Sequence, residues 1–284
     1  MASLARELPH EQSAHAPVAL VLATIAVERD EVKVVMPSSE EDVVNALSAC
    51  GRARDDPHWA DVWHGSVALA REITRRPELV RGKRVMDLGC GVGLAGIASA
   101  LAGAREVVMS DREERALWCA LSGCKANGIK DVREIPREWN SPDGIELPKV
   151  MTFDDVRDSG SSCVVSAAKV DWFEPEKAPS GFDVVLACDV LYNPDAVDAI
   201  ATLALKLFEG TDGGGTFVLA DPPGRFPKNH ERFMALMEDP TRIPGYGGAE
   251  RQAVVGVSSV VEECLNLEDE VMRVKLSNFS IVSR

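Results

Sequence analysis

The chain has 284 residues, with 31 Lys and Arg against 45 Asp and Glu, for a formal net charge of −14. At 45% hydrophobic and 27% charged residues it reads as an ordinary globular chain, long enough for one large α/β domain or two small ones. The charge argues against a general nucleic-acid binder, which needs a basic face, and favours cationic ligands or basic partner proteins.

The longest apolar run, Ala16 to Val27, is 12 residues, too short for a membrane-spanning helix. No membrane or nucleic-acid partner is expected, and nothing demands an oligomer, so a monomer is expected. Seven cysteines, Cys50, Cys90, Cys119, Cys124, Cys163, Cys188 and Cys264, form no CxxC pair. They read as free thiols in a reducing compartment, the cytoplasm or the nucleus. No metal site is expected. His10 and His15 stand four apart, but in a polar tail. Met1 to Ala16 sets Arg6 against Glu7 and Glu11, so it lacks the basic start of a secretory signal.

Residues 1 to about 15 read as a flexible tail. Val18–Val27 and Val32–Met36, separated by Glu28-Arg29-Asp30, predict a β-hairpin. Ser38 to Glu41 opens a short helix with Val43, Val44 and Leu47 on one side. Arg52 to Pro57 is a polar loop.

From Trp63 the pattern alternates helix and strand. Ser66–Thr74 is a helix with Val67, Ala70 and Ile73 inward; Arg84–Leu88 is a strand; Gly96–Ala102 is helical. Glu106–Ser110 is a second strand ending at Asp111. A helix over Glu113–Ala126 follows, with Leu117, Ala120, Leu121 and Cys124 on one face and Asn127-Gly128 closing it. Gly128 to Ser162, with Pro136, Pro142 and Pro148, is long for a connection and reads as an insertion on the sheet edge.

Cys163–Val170 is a third strand. Asp183–Cys188, nearly all apolar, is a fourth and central one. Asn193-Pro194 starts a helix reaching Phe208. After the loop Gly210–Gly215 come a fifth strand, Thr216–Ala220, and a helix, Asn229–Glu238, that Pro240 ends. Ala253 to Val282 predicts an antiparallel pair at the sheet edge. The expected division is residues 1–60 as tail, hairpin and short helix, and 61–284 as the main domain with its insertion at about 128–162.

Such alternation implies a doubly wound, Rossmann-like α/β sheet, in which ligands bind beyond the carboxyl ends of the strands. The first strand runs into Asp87-Leu88-Gly89-Cys90-Gly91-Val92-Gly93, with Gly96 beyond. The spacing of Gly91, Gly93 and Gly96 also occurs in dinucleotide enzymes. Asp87 discriminates, because a carboxylate there repels a pyrophosphate but suits the ammonium and sulfonium of S-adenosylmethionine. The competing readings are a nicotinamide dinucleotide or a purely structural glycine turn.

Asp111, 18 residues after Gly93, can accept from two ribose hydroxyls or cap the following helix. Asp171-Trp172 can hold an adenine, or the indole can plug the core. Asp189 and Tyr192, after the fourth strand, can hold an incoming amine; the alternative is a turn cap and a buried ring. Asp221-Pro222-Pro223-Gly224 has the Asp-Pro-Pro start of a base-methylating motif. It follows the wrong strand, and Gly224 cannot stack on a flipped base. A rigid turn at the substrate mouth is the better reading.

Together these residues resemble the class I, seven-β-strand methyltransferases, and within them the methyltransferase-like protein-lysine methyltransferases. The resemblance runs from about Trp63 to Phe226. It rests on Trp63, on Val85 to Gly93, on Val170-Asp171-Trp172 and on the acidic-x-x-aromatic segment Asp189-Val190-Leu191-Tyr192.

The resemblance implies a seven-stranded methyltransferase sheet with an N-terminal β-hairpin extension, and S-adenosylmethionine held by Trp63, Asp87, Gly89, Gly91, Gly93, Asp111, Asp171, Trp172 and Ala187. It implies N-methylation of a lysine on a partner protein presenting a basic segment, with Asp189 and Tyr192 as catalytic residues. Related branches act on arginine or histidine, so these, a small-molecule acceptor and a non-catalytic cofactor-binding scaffold are the alternatives. Freeing a lysine lone pair at pH 7 costs roughly 4.6 kcal/mol from a pKa near 10.4. Asp189 is therefore expected to orient the amine while the proton leaves to water.

Overall fold

The structure is a computed structural model that describes residues 3–8, 18–49, 51–136, 149–154, 156–244, 252–265 and 271–283. The hairpin forms as expected from Leu20–Val27 (β2) and Asp30–Pro37 (β3), paired antiparallel. The tail expectation is corrected at Ser3–Glu7 (β1), which pairs antiparallel with β2. Its sequence has no strand pattern, but the free edge of β2 offers unpaired N–H and C=O groups that another strand can satisfy. His10, His15, Cys50, Pro142 and Pro148 lie outside the described residues.

The short helix is Glu40–Ala49 (α1), which buries Val43 and Leu47. Val44, expected on the same side, is 44% exposed. Positions 43 and 47 share a helix face, and 44 is turned about 100° away from the first.

The main sheet contains Arg84–Leu88 (β4), Glu106–Asp111 (β5), Val164–Lys169 (β6), Val184–Cys188 (β7), Gly215–Asp221 (β8), Gln252–Leu265 (β9) and Val271–Ser283 (β10). Their spatial order is β6-β5-β4-β7-β8-β10-β9, with β4 to β8 parallel and β10 antiparallel to both its neighbours. The expected seven-stranded doubly wound sheet is thus present. The order turns round between β4 and β7, which is where a doubly wound sheet opens a crevice for a ligand.

One face is covered by His64–Arg75 (α2), Leu94–Leu101 (α3) and Glu114–Ala126 (α4), whose buried residues join those of β2 and β3 in one core. Asn127 ties the hairpin to the end of α4, accepting from Lys33 N at 3.0 Å and donating to Lys33 O at 2.6 Å. The other face is covered by Val197–Lys206 (α5) and Pro227–Glu238 (α6). There Phe217, Phe233 and Phe279 pack with ring centroids 5.9–6.1 Å apart.

Among the described residues after α4, the chain runs along the sheet edge at Val132 and Arg133. Val132 bridges to Val165 of β6, and Arg133 N donates to Val165 O at 2.9 Å. The C-terminal pair forms as predicted, with β10 inserted between β8 and β9.

Candidate active site

At the carboxyl ends of β4 to β8 lies a cavity of about 660 Å³. Its floor is the turn from β4 into α3. Gly89, Gly91 and Gly93 all have positive φ, at 67°, 51° and 83°. A Cβ on Gly89 would come within 2.9 Å of the Trp172 ring, and one on Gly91 within 3.0 Å of Trp59 O. The turn therefore needs glycine both for its backbone and for what crosses it.

Two carboxylates brace this floor. Asp87, 2% exposed, accepts from Gly96 N at 2.8 Å, and Asp111 accepts from Gly91 N and Glu113 N at 3.0 Å each. Burial pushes both up, Asp87 to about 7 and Asp111 to about 6. Asp111 thus holds the glycine turn and the start of α4 at once. Both carboxylates also line the cavity.

The far wall comes from the segments after β6 and β7. The Trp172 ring lies over Gly89 and meets Tyr192 edge-on, with centroids 6.1 Å apart. Asp171 accepts from Phe173 N at 2.9 Å, which turns the chain after β6. Asp189 sits at φ 52°, a left-handed conformation rare outside glycine, with its N donating to Ala220 O at 2.9 Å. Its Oδ2 accepts from Gly65 N at 2.6 Å. A Cβ on Gly65 would collide with that carboxylate and with Ala220 O, so α2 can start this close only because residue 65 is glycine.

Asp189 Oδ1 is buried and makes no hydrogen bond; its nearest cation is the Arg225 guanidinium, 3.6 Å away. Burial, and then Asp221 beside it, push Asp189 up to about 7, against the pull of Gly65 N–H and Arg225. Arg225 also stacks over Trp63, 4.4 Å from the ring centroid.

The near wall is the loop between α1 and α2. Arg52 pins it by bonding Asp55 at 2.6 Å and Glu113 at 2.8 Å. This brings Asp56 to accept from the Tyr192 hydroxyl, and His58 edge-on to both Trp63 and Tyr192. Burial and the bond to Asp56 push the Tyr192 phenol well above its ordinary value.

Among the sequence-predicted site residues, Trp63, Asp87, Gly89, Gly91 and Asp111 line this one cavity, as do Asp171, Trp172, Asp189 and Tyr192. Gly93 and Ala187 stand behind its surface. A Cβ on Gly93 would press on Ala120 Cβ at 2.6 Å, so that glycine seats α3 against α4, and Ala187 is fully buried within β7. Asp56, His58 and Arg225 were missed. No local pattern marks them, and only the long-range bond from Tyr192 could have pointed to the polar loop. The Asp221–Gly224 turn contributes its neighbours Arg225 and Phe226 to the cavity. Asp221 itself is buried against His230 Nδ1 at 3.3 Å.

The Methyltransferase small domain family matches residues 58–152, a stretch that includes the cavity floor and the His58–Trp63 part of the near wall. The chain is similar to the class I S-adenosylmethionine-dependent methyltransferases. It resembles the protein-lysine methyltransferases. The electron transfer flavoprotein beta subunit lysine methyltransferase of Danio rerio is 42% identical over 74 residues, 26% of this chain and 29% of that protein. The homologue of that enzyme from Caenorhabditis elegans is 24% identical over 179 residues, 63% of this chain and 64% of its own. The chain therefore spans about 29% of the length of the vertebrate relative it matches. A solved TehB-like SAM-dependent methyltransferase from Corynebacterium glutamicum overlays 85% of this chain and 97% of its own, at TM-score 0.43 and 13% identity.

The cavity fits S-adenosylmethionine on its own geometry. Eight Asp and Glu line it against three Arg. That balance suits a ligand carrying a sulfonium and an ammonium, and opposes a pyrophosphate. The glycine floor leaves backbone accessible, and two aromatic walls face it.

Proposed function

We propose that this methyltransferase N-methylates a lysine side chain of a partner protein. The observation that carries the reading is Asp189 Oδ1, a buried acceptor without a hydrogen bond, in the segment Asp189 to Tyr192 at the cavity. A buried carboxylate oxygen without a hydrogen bond is costly, and with the Arg225 guanidinium no nearer than 3.6 Å an amine N–H would supply that bond.

In this reading Asp87 and Asp111 shape the cofactor floor through their bonds to Gly96 and Gly91. Trp63 and Trp172 supply aromatic faces. Bound S-adenosylmethionine supplies the activated methyl group on its sulfonium. Asp189 Oδ1 accepts from the lysine amine and so directs its lone pair. Tyr192, held by Asp56, forms the wall beside it. Placing the nucleophile is the larger part of the work, because correct orientation removes much of the entropic barrier. Proton loss goes to water, since Asp189 near 7 is far weaker as a base than a free amine.

The names of the relatives suggest the first protein to try. The decisive experiment incubates the purified chain and methyl-labelled S-adenosylmethionine with electron transfer flavoprotein, and separately with whole-cell extract. Labelled proteins are then hydrolysed to single amino acids. Methyl-lysine is expected. Label confined to methyl-arginine or methyl-histidine would overturn the lysine assignment, and unlabelled protein despite bound cofactor would overturn the protein acceptor. A reducing, cytoplasmic location belongs to the same reading, supported by six free cysteines among the described residues.

A further inference from the structure

The chain has eight phenylalanines. Phe182, Phe208, Phe217, Phe233 and Phe279 are fully buried, and Phe153 is half-buried. The other two, Phe173 and Phe226, are 53% and 38% exposed, and both line the cavity described above. A single apolar ring in water is ordinary. Two rings from distant segments at one opening, on a chain that fully buries five of its other six phenylalanines, mark a surface built for contact.

Both rings sit on defined backbone. Phe173 follows Trp172, in the turn closed by its own N–H bonding to Asp171. Phe226 follows the turn in which Arg225 N donates to Pro222 O at 2.9 Å, and it directly precedes α6, which opens with Pro227. Anchors already fixed in place lose little freedom on binding.

The rings also bracket the chemistry. Phe173 follows β6 and Phe226 follows β8, the first and fifth strands in sheet order, while Asp189 and Tyr192 follow β7 between them. Four strand spacings are about 19 Å, the reach of about six extended residues. The acidic lining between the rings complements a basic segment.

We propose that Phe173 and Phe226 are docking anchors for an extended, basic segment of the partner protein that carries an apolar residue on each side of its acceptor lysine. The lysine enters the cavity between the anchors. Charge draws the segment in, and the two apolar contacts set which lysine is presented. This rests on the protein-lysine reading and adds the class of sequence that the site takes.

The test uses the full chain and the acceptor isolated from the strongest labelled band of the extract. Phe173→Ser and Phe226→Ser are each expected to raise KM for that acceptor about tenfold, equivalent to about 1.4 kcal/mol, with kcat within twofold. The double variant should lose about a hundredfold in kcat/KM. Calorimetric affinity for S-adenosylmethionine should match the wild type, which also reports that each variant is folded. Val261→Ser, a 58% exposed valine on β9, is the control and should leave both constants unchanged. An unchanged KM in both single variants would overturn the anchors while leaving lysine methylation intact. If the wild-type chain bound cofactor but labelled no protein, the protein-lysine reading and the docking surface would fall together.

Discussion

Asp87 and Asp189 end neighbouring parallel strands, are both buried, and are both pushed up to about 7 by that burial. They differ in what is left over. Asp87 lies at the foot of the glycine turn, on ordinary backbone, and its bond to Gly96 N fastens that turn to α3. Asp189 sits on left-handed backbone, with Gly65 N on one oxygen and no hydrogen bond on the other. Burial alone therefore does not distinguish a structural carboxylate from one poised for a substrate. The oxygen without a hydrogen bond and the strained backbone do.

The comparison breaks most visibly at the cofactor. Asp87→Ala is expected to weaken S-adenosylmethionine binding about a hundredfold, as losing a charged hydrogen-bond partner in the cradle would. Asp189→Ala should change that affinity less than threefold and instead reduce methyl transfer. Equal losses of affinity in the two variants, measured by calorimetry, would erase the distinction between the strand ends.

The pH dependence sharpens it. Lysine protonation already lowers the rate as pH falls, so if ionised Asp189 orients the amine the rate should fall more steeply below about pH 7. Asp189→Asn keeps an acceptor oxygen and tolerates positive φ, so it should be about tenfold slower at pH 8 and lose that extra steepness, leaving only the slope from lysine protonation. Stability runs the other way. A carboxyl raised in the folded state, from about 3.9 when unfolded, contributes stability that is complete below about pH 4 and lost as pH rises through about 7. The urea midpoint should therefore be higher at pH 5 than at pH 8, and Asp87→Asn should flatten the difference. A midpoint that rises with pH would refute the burial argument for both residues.

The smallest effect concerns Arg225. Its charge pulls Asp189 down, so Arg225→Ala should move the acid limb upward by about half a pH unit. A limb that stays in place would mean that the 3.6 Å pair carries no weight in the working enzyme.

Much of this was legible because its cause is local. The central strands are short apolar runs that can only be buried, and β4 begins and ends where it was predicted, at Arg84 and Leu88. Nine of the predicted site residues meet in one cavity because each stands at or shortly beyond the carboxyl end of a strand, or just before the first core helix. The misreadings have non-local causes. Ser3–Glu7 is a strand because β2 offers it an edge, and Val44 faces outward because it stands about 100° round the helix from Val43. Asp56 was passed over as loop because its partner, Tyr192, stands 136 residues away.

By itself, then, the sequence determined the alternation of strand and helix, the glycine turn and the carboxylates placed after the strands. Each depends on residues close in the chain, whose conformational preferences act wherever the chain goes. Only the tertiary structure decided which oxygen of Asp189 goes without a hydrogen bond, that Asp56 holds Tyr192, that Arg225 lies over Trp63, and that the two exposed phenylalanines share one opening. Those are contacts between segments brought together by packing, and no local preference encodes them.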